Sequence, residues 1–532
     1  MVKQKKNYTE RTYITEWKLS MNGNNMNHCT SKIARTILLT MALASCSVNK
    51  PELNSDSLPP MYPDYTNVTI PPNIAPLNFL MPDSAQRVEV YANGERIRTT
   101  HTNKVTFGKT TWRRLLQEHQ GDSVEILVRA VYKDCVTEYA PFHWYVATDE
   151  IDPYLTYRLI EPDYEVFSRI ALEERCVENF KTLRFADHEK VGNRCMNCHT
   201  YANQDPQLSM LYVRGTGGGA VLNRNGNLSL LDINSPGMVS SSVYFSFHPS
   251  GRYIVFSANH IIPAFHSSGS KRLEVFDVAS DVYVADLEQQ TIVTNDLLCD
   301  SMQLETFPTF SPDGKYIYYC SADAAPIKSA EAAQNEGTDI NGSIEQIKYY
   351  LCRVSFADGC PGDVVDTISQ AGVSVCHPRI SPDGKLLLYT VQDYGTFPIW
   401  HREAELRMLN LDTMAVDSLN IVNSDMSDTY HSWSSNSRWF VFASKRDDGL
   451  YGKPYFCYVD SQGVCHKPFV LPQRDPEFYG NCLKSFNAPE LGKGQLPFGS
   501  EEIVKLLKST TAVKFNALPH TPSQSATEDD IP

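Results

Sequence analysis

The order of apolar and polar residues predicts strands along much of the chain. In "RVEVYANGERIRT" and "SVEILVRAVY" the two kinds of residue alternate around Asn-Gly and Gly-Asp pairs. This alternation is typical of half-buried antiparallel strands joined by tight turns, so we expect a small β-sandwich over residues 74–150. The pattern then changes, because "YEVFSRIALEERCVENFKTLRF" has the spacing of a helix. Residues 151–208 are therefore predicted to form a helical connector.

Four versions of one sequence unit follow: "FHPSGRYIVFSA", "FSPDGKYIYYCSA", "ISPDGKLLLYTV" and "WSSNSRWFVFAS". Each predicts a strand, a turn that tolerates positive φ, and a second strand, a hairpin that cannot bury both faces alone. The unit resembles the Ser-Pro-Asp-Gly-Lys repeats of TolB-type β-propellers, and the resemblance implies a propeller over residues 209–495. The spacing of the repeats leaves room for further, degenerate blades, and the length suits six blades better than four.

The strand before each turn is expected to be the innermost one of its blade. Counting back three residues from each repeat places one residue per blade at the mouth of the central channel, with one histidine beside the last: Tyr244, Phe307, His377, Tyr430 and His431. Such a ring either fills the channel or receives a ligand, and filling is favoured because aromatic residues commonly pack blade entries. The two histidines are candidates for ligand contacts or for structural hydrogen bonds.

The first 45 residues carry the pattern of a secretory signal. Lys32 and Arg35 precede the apolar run "ILLTMALAS", and small residues lead to Cys46. The segment "LASC" resembles the lipobox of bacterial lipoproteins, which implies lipidation of Cys46 and a place in a Gram-negative cell envelope. The expected position is the periplasm-facing inner leaflet of the outer membrane. An uncleaved anchor is the alternative, but about nine apolar residues are too few to cross a bilayer core.

Composition narrows the organisation and function further. The segment 46–73 is rich in proline and polar residues, which predicts a flexible tether, and residues 496–532 predict a C-terminal helix followed by a disordered tail. The net charge of −14 disfavours nucleic-acid binding. Similar propellers are attached to prolyl-oligopeptidase-type peptidases, but the chain has no Gly-x-Ser-x-Gly elbow, so a hydrolase is not expected.

The stretch "NRCMNCHTY" carries the candidate chemistry, because it contains Cys195, Cys198 and His199. Thioredoxin-like chemistry lacks its βαβ pattern, and a zinc ribbon lacks its second ligand pair. Cys-x-x-Cys-His resembles the attachment motif of c-type cytochromes, in which two thiols bind the haem vinyl groups and the histidine binds the iron. The alternatives are a disulfide and a chance match.

The other haem contacts are less determined by the sequence. Met210 is a candidate sixth ligand, with His188 or a propeller histidine as rivals and a buried core methionine as the structural alternative. In "RGTGGGA", Arg214 could pair with a haem propionate or make an ordinary contact at the end of a strand.

These observations predict a mainly β protein with a TolB-like propeller, preceded by an Ig-like sandwich and a short helical segment that holds one covalent haem c. The expected function is electron transfer or haem-linked sensing, with membrane attachment through Cys46 and a redox or envelope protein as partner. The alternatives are a non-redox scaffold that binds envelope proteins or glycans, and a haem-dependent oxidoreductase. An electron carrier or binding protein is favoured over a hydrolase.

Overall fold

The computed structural model describes residues 50–161, 169–265, 273–328, 344–369 and 372–518. The chain divides into two units after Pro51, and every element described below belongs to the unit that begins at Glu52. The predicted signal peptide and Cys46 lie outside the described residues. None of the described helices is long and apolar enough to span a bilayer.

The N-terminal part of this unit is a sheet with one helix. Its elements are β1 (Glu52–Asn54), β2 (Val68–Ile70), β3 (Phe79–Leu80), β4 (Arg87–Ala92), β5 (Glu95–Thr100), β6 (Lys104–Val105), α1 (Lys109–Glu118), β7 (Ser123–Val131), β8 (Val136–Glu138) and β9 (Phe142–Val146). Seven strands form one sheet in the order β1-β8-β7-β4-β5, with β9 also pairing β7 and β2 pairing β9. Strands β3 and β6 form a separate ribbon.

Helix α1 was not anticipated in the region where a two-sheet sandwich was expected. Its buried face consists of Trp112, Leu115 and Leu116, spaced as an amphipathic helix requires. The Trp112 ring lies 5.3 Å from that of Trp144 on β9, and its Nε1 donates to the Ile74 carbonyl at 2.9 Å. The helix thus contributes apolar cover where the sandwich prediction required a second large sheet.

The prediction of a flexible tether over residues 46–73 is wrong for residues 52–73. This segment contains β1 and β2, and the side chains of Tyr65 and Val68 are completely buried. The Tyr65 hydroxyl donates to the carbonyl of Val470, 405 positions later, at 3.4 Å. A few apolar residues within a polar, proline-rich run are enough to fix it, because each finds a pocket that composition does not reveal.

The rest of the chain forms six sheets, which we number as blades. Blade 6 consists of β10 (Tyr154–Ile160), β11 (Ala171–Cys176), β12 (Thr182–Asp187) and, from the end of the propeller, β33 (Ser485–Gly492). Blade 1 consists of β13 (Met196–Ala202), β14 (Asp205–Val213), β15 (Gly219–Arg224) and β16 (Asn227–Asp232), blade 2 of β17 (Ser242–Phe247), β18 (Tyr253–Phe265), β19 (Leu273–Asp286) and β20 (Thr291–Val293), and blade 3 of β21 (Gln303–Phe310), β22 (Tyr316–Asp323), β23 (Tyr350–Ala357) and β24 (Cys360–Thr367). Blade 4 consists of β25 (Ser374–Ile380), β26 (Leu386–Gln392), β27 (Glu405–Asn410) and β28 (Val416–Asp417), and blade 5 of β29 (Asp428–Trp433), β30 (Trp439–Ser444), β31 (Lys453–Tyr458) and β32 (Phe469–Val470). A short 3₁₀ helix, Pro398–Trp400, precedes β27, and helix α2 (Phe478–Asn481) precedes β33. The mainly β prediction and the six-bladed propeller are confirmed.

Blade 6 joins the two ends of the propeller. Strand β33 supplies its inner strand and pairs antiparallel with β10, which is followed outward by β11 and β12. The helical connector predicted for 151–208 is therefore wrong over its described residues, which form strands from Tyr154 onward. The stretch with helical spacing forms β11 and β12, which extend the β33–β10 pair outward, because burial and ladder hydrogen bonds outweigh weak intrinsic propensity.

The repeated Ser-Pro-Asp-Gly-Lys unit forms the turn between the first two strands of its blade. In blade 3 the Ser311 hydroxyl donates to Asp313 at 2.6 Å and accepts from the Tyr316 amide at 3.0 Å. Gly314 follows with φ of 73°, a conformation that strains other residues. Ser381 makes the same two contacts in blade 4. The repeat is therefore a turn device that sets the hairpin register.

After the propeller the chain forms α3 (Ser500–Ser509) and two short strands, β34 (Val513–Lys514) and β35 (Asn516–Ala517). Helix α3 buries Ile503 and Leu506, and β34 and β35 extend blades 1 and 2 by parallel pairing with β16 and β20. The predicted disordered tail beyond residue 518 lies outside the described residues.

Candidate functional site

The inner strands of all six blades share one irregularity. Each contains a residue with φ between 45° and 56°, and around it two successive residues are skipped in the register with the neighbouring strand. These bulge residues are Cys198, Tyr244, Phe307, His377, Tyr430 and Ala488. A bulge re-aims side chains at a crowded position, and here the crowding is around the propeller axis.

Four of these six positions were predicted from the repeats, and their rings pack together. Ring centroids are 4.5 Å apart for Tyr244 and Phe307, 4.1 Å for Phe307 and His377, and 4.8 Å for His377 and Tyr430. Phe307 and His377 are almost completely buried. The rings therefore fill the centre of the channel rather than line an open hole through it.

The other two bulge residues were not predicted to lie at the channel, because their blades lack the sequence repeat. One of them is Cys198, so the second half of the Cys-x-x-Cys-His motif occupies the place that aromatic rings occupy in four other blades. Its Sγ accepts a hydrogen bond from the Tyr244 amide at 3.3 Å. Cys198 and His199 thus lie on a strand at the propeller centre. The prediction that a helical segment carries the motif is therefore wrong.

The two motif cysteines face different packing environments. Cys195 packs against the apolar cluster that contains Phe185 of blade 6, whereas Cys198 packs against the cluster of blades 1 and 2. The Sγ of Cys195 accepts from the Asn197 side chain at 2.8 Å. Both thiols are free in the structure, and burial raises the pKa of each, which favours the neutral, protonated form.

His199 of blade 1 and His431 of blade 5 occupy equivalent positions, and each lies against the preceding blade. His431, the equivalent residue of blade 5, bonds the Leu388 carbonyl in the preceding blade through Nε2 at 2.9 Å. The ring of His199 likewise lies near the backbone of Thr156 in its preceding blade, and its Nε2 is buried without a hydrogen-bond partner. Burial and the charge of Arg158 lower the pKa of His199 to about 4, so the imidazole is neutral at physiological pH.

Met210 lies on β14, the strand that pairs directly with the motif strand. It is only 2% exposed and stands opposite Thr200 in the ladder. Neighbouring strands are about 4.8 Å apart, which leaves no room for a porphyrin between two residues that face each other across a hairpin. In this conformation Met210 is a core residue, as in the structural alternative, and is not placed to bind the haem face opposite His199.

A large cavity opens on one face of the propeller. Its volume is about 2030 Å³, and Cys195, Cys198, His199 and Arg214 all line it, as do Tyr244, His377, Tyr430 and His431. The rival ligand His188 does not line it. Seven Lys or Arg residues but only three Asp or Glu residues line this cavity, in a chain whose net charge is −14. Its walls are therefore cationic although the protein is acidic.

The residues of this cavity fit a haem in part. Two neutral thiols and a neutral imidazole with an unpartnered nitrogen are the groups that attachment requires, and they line one space large enough for a porphyrin. The ring of His199, however, lies near Thr156, so iron ligation requires it to turn toward the cavity. Among the described residues no group of three or more His, Cys, Asp or Glu side chains is arranged to bind a metal ion.

No family model and no curated protein matches the chain. Similar solved structures include a protein from Agrobacterium tumefaciens assigned as TolB, at 12% identity and a TM-score of 0.34, covering 63% of this chain and 96% of that one. An oligogalacturonate lyase in complex with manganese matches at 11% identity and a TM-score of 0.35, over 59% of this chain and 72% of the lyase. Prolyl oligopeptidase B from Galerina marginata matches at 10% identity and 0.34, over 60% and 44%. At these scores the strand order, rather than the matches, establishes the propeller.

Proposed function

We propose that this chain is a c-type haem lipoprotein of the bacterial cell envelope that acts in electron transfer or haem-linked sensing. The observation that supports the proposal is the convergence of Cys195, Cys198 and His199 on one cavity of about 2030 Å³ with cationic walls. A motif that matched by chance has no reason to line a cavity with the volume that a porphyrin needs.

Three side chains of this protein would have distinct roles in holding the haem. Cys195 and Cys198 would hold the porphyrin edge through thioether bonds, and both are protonated thiols before attachment. His199 would bind the iron once its ring leaves the Thr156 backbone, and its lowered pKa keeps it neutral for this. Bound haem would supply a one-electron Fe(III)/Fe(II) couple. Cys198 lies on β13, which pairs with β14, and the Cys195 carbonyl just before this strand accepts from the Arg214 amide at 2.9 Å, so the backbone gives the thiols a fixed spacing.

The test is expression of the full chain in a host with the machinery for maturing c-type cytochromes. We expect the purified protein to carry one haem that survives denaturation, seen as a mass increase and a pyridine haemochrome spectrum. Cys198→Ala should lose the stable attachment, whereas Cys360→Ala, which removes an exposed free cysteine of blade 3, should keep it. Wild-type protein without any haem mass, from a host that matures a control cytochrome, contradicts the proposal.

Membrane attachment is a separate part of the proposal and rests on the lipobox-like segment that ends at Cys46. Lipidation there would place the propeller on the periplasmic face of the outer membrane, within reach of a redox or envelope protein partner. We expect Cys46→Ala to move the protein from the membrane fraction to the soluble fraction, while Cys29→Ala leaves it in the membranes. Equal fractionation of the two variants contradicts lipidation at Cys46.

One observation favours a second candidate, a non-redox propeller that binds envelope proteins or glycans. Cys198 and His199 occupy a bulge that every blade possesses, and His199 repeats the inter-blade contact of His431. Packing alone therefore accounts for part of the motif. The haem-attachment experiment separates the two, because a scaffold folds without haem and shows no covalent adduct. A haem-dependent oxidoreductase would in addition bind a substrate at the iron, which the spectrum of the loaded protein would report.

A further inference from the structure

Three arginines from different blades approach Cys198 inside the cavity. Arg214 follows β14 of blade 1, Arg158 lies on β10 of blade 6, and Arg379 lies on β25 of blade 4. The positive charge of each acts on the Cys198 thiol, and each lines the cavity. Blade 4 stands opposite blade 1 in a six-bladed ring, so these guanidinium groups reach toward the axis from opposite sides.

Two of these arginines have donor groups that the protein itself does not satisfy. Nε of Arg158 and Nε of Arg214 are buried without a hydrogen-bond partner, as is Nη1 of Arg194 nearby in the same cavity wall. Arg158 does donate to the Asn197 side chain through Nη1 at 2.5 Å, and Arg379 donates to the Pro378 carbonyl at 3.0 Å. A buried guanidinium N–H without an acceptor lowers the stability of the folded protein, so a ligand that supplies an acceptor would be favoured here.

The charges facing the arginines do not neutralise them. Within the described part of the chain none of the three forms an ion pair with a carboxylate, and the carboxylate whose charge acts on Arg379 is Glu490. Glu490 accepts from the Tyr201 amide and the Thr200 hydroxyl, and burial raises its pKa to about 7. The histidines of the centre, His377 and His431, have lowered pKa values and carry no charge at neutral pH. The inner cavity therefore has an excess of positive charge.

We propose that Arg158, Arg214 and Arg379 form a binding site for a ligand with several carboxylates. A guanidinium fork matches the two oxygens of a carboxylate, and the rings of Tyr244, Tyr430 and Trp433 line the same cavity. The carboxylates have two sources. They belong to the haem propionates, a case that rests on the function proposed above, or to a free polycarboxylate that enters from the periplasm.

The experiment uses the full chain made in hosts with and without the c-type maturation machinery, and isothermal titration with propane-1,2,3-tricarboxylate as the probe. We expect the haem-free protein to bind the probe, more weakly at high salt, and the variants Arg214→Gln and Arg379→Gln to bind about tenfold or more weakly. Arg113→Gln, an exposed change of the same charge on α1, is the matched control and should bind like wild type.

The haem-loaded protein then identifies the source of the carboxylates. Loss of probe binding in loaded protein assigns the arginines to the propionates, and unchanged binding assigns them to a free ligand. If no haem attaches in any host, the haem-free titration still decides the carboxylate site, so failure of the haem proposal is distinguishable. Equal affinity of Arg214→Gln, Arg379→Gln and Arg113→Gln refutes the site, as does binding of inorganic phosphate without binding of the tricarboxylate. Arg214→Gln keeps the test valid if Arg379→Gln does not fold.

Discussion

A buried carboxyl group that does not line the cavity provides a sharp test of the structure. Glu305 lies on β21, is 1% exposed, and its Oε2 has no hydrogen-bond partner among the described residues. Burial, together with the nearby carboxylates Asp281 and Asp300, raises the pKa of Glu305 to about 10. The side chain is therefore protonated in the folded protein at neutral pH, whereas in the unfolded chain it is ionised.

The magnitude follows from the difference between the two states. The ordinary pKa of glutamate is 4.5, so at pH 7 keeping the group protonated spans about 2.5 pH units. At about 1.4 kcal/mol per unit this lowers the free energy of unfolding by ~3 kcal/mol. Because the folded-state pKa is raised, the contribution is most favourable below pH 4.5 and is lost as the pH rises toward the folded-state value.

Replacing the group by its neutral isostere removes this dependence. We expect Glu305→Gln to raise the free energy of unfolding at pH 7 by about 3 kcal/mol, and the gain to disappear near pH 4.5. Urea unfolding followed by tryptophan fluorescence at several pH values measures both effects. Glu125→Gln, an exposed change on β7, is the control and should follow the wild-type curve. Parallel pH curves for Glu305→Gln and wild type would refute the reasoning.

Three further predictions concern stability and oxidation. Arg175 is buried and donates to the Pro472 carbonyl and the Gln473 side chain at 2.9 and 3.3 Å, so Arg175→Ala should lower the free energy of unfolding by about 3 kcal/mol in urea titrations. The Asp152 carboxylate accepts from the amide and hydroxyl of Ser435, both at 2.7 Å, and Asp152→Ala should cost about 2 kcal/mol in the same assay; a value near zero contradicts the contact. Cys457 and Cys465 are hydrogen-bonded thiols in the structure, and we expect them to form a disulfide in exported protein. Alkylation before reduction should then leave both cysteines unlabelled in peptide mass spectra, whereas the exposed Cys360 should be labelled.

The hairpin architecture could be predicted because its signals are local. A Ser-Pro-Asp-Gly-Lys turn contains its own hydrogen bonds, as Ser311 and Asp313 show, and alternating strands follow from period-two burial. The same repeats also pointed to Tyr244, Phe307, His377 and Tyr430, which the structure packs together. Blades 1 and 6 lack the repeat, so nothing local revealed that Cys198 and Ala488 complete the ring.

Other predictions failed where long-range partners decide the structure. The stretch before the cysteine motif has helical spacing but forms β11 and β12, which join β33 through β10, and the proline-rich segment after residue 51 is fixed by contacts such as that of Tyr65 with Val470. A single sequence does not contain the partner of a strand, only its own preference.

The sequence by itself determined the repeat, the turn chemistry, the mainly β class, and the presence of Cys195, Cys198 and His199 at a spacing that suggests haem. The tertiary structure decided that these residues lie at the propeller centre, and that Arg158, Arg214 and Arg379 join them from three blades. The physical reason is ring closure. It brings the inner strands to one axis, so residues with no relation along the chain share one buried, cationic space.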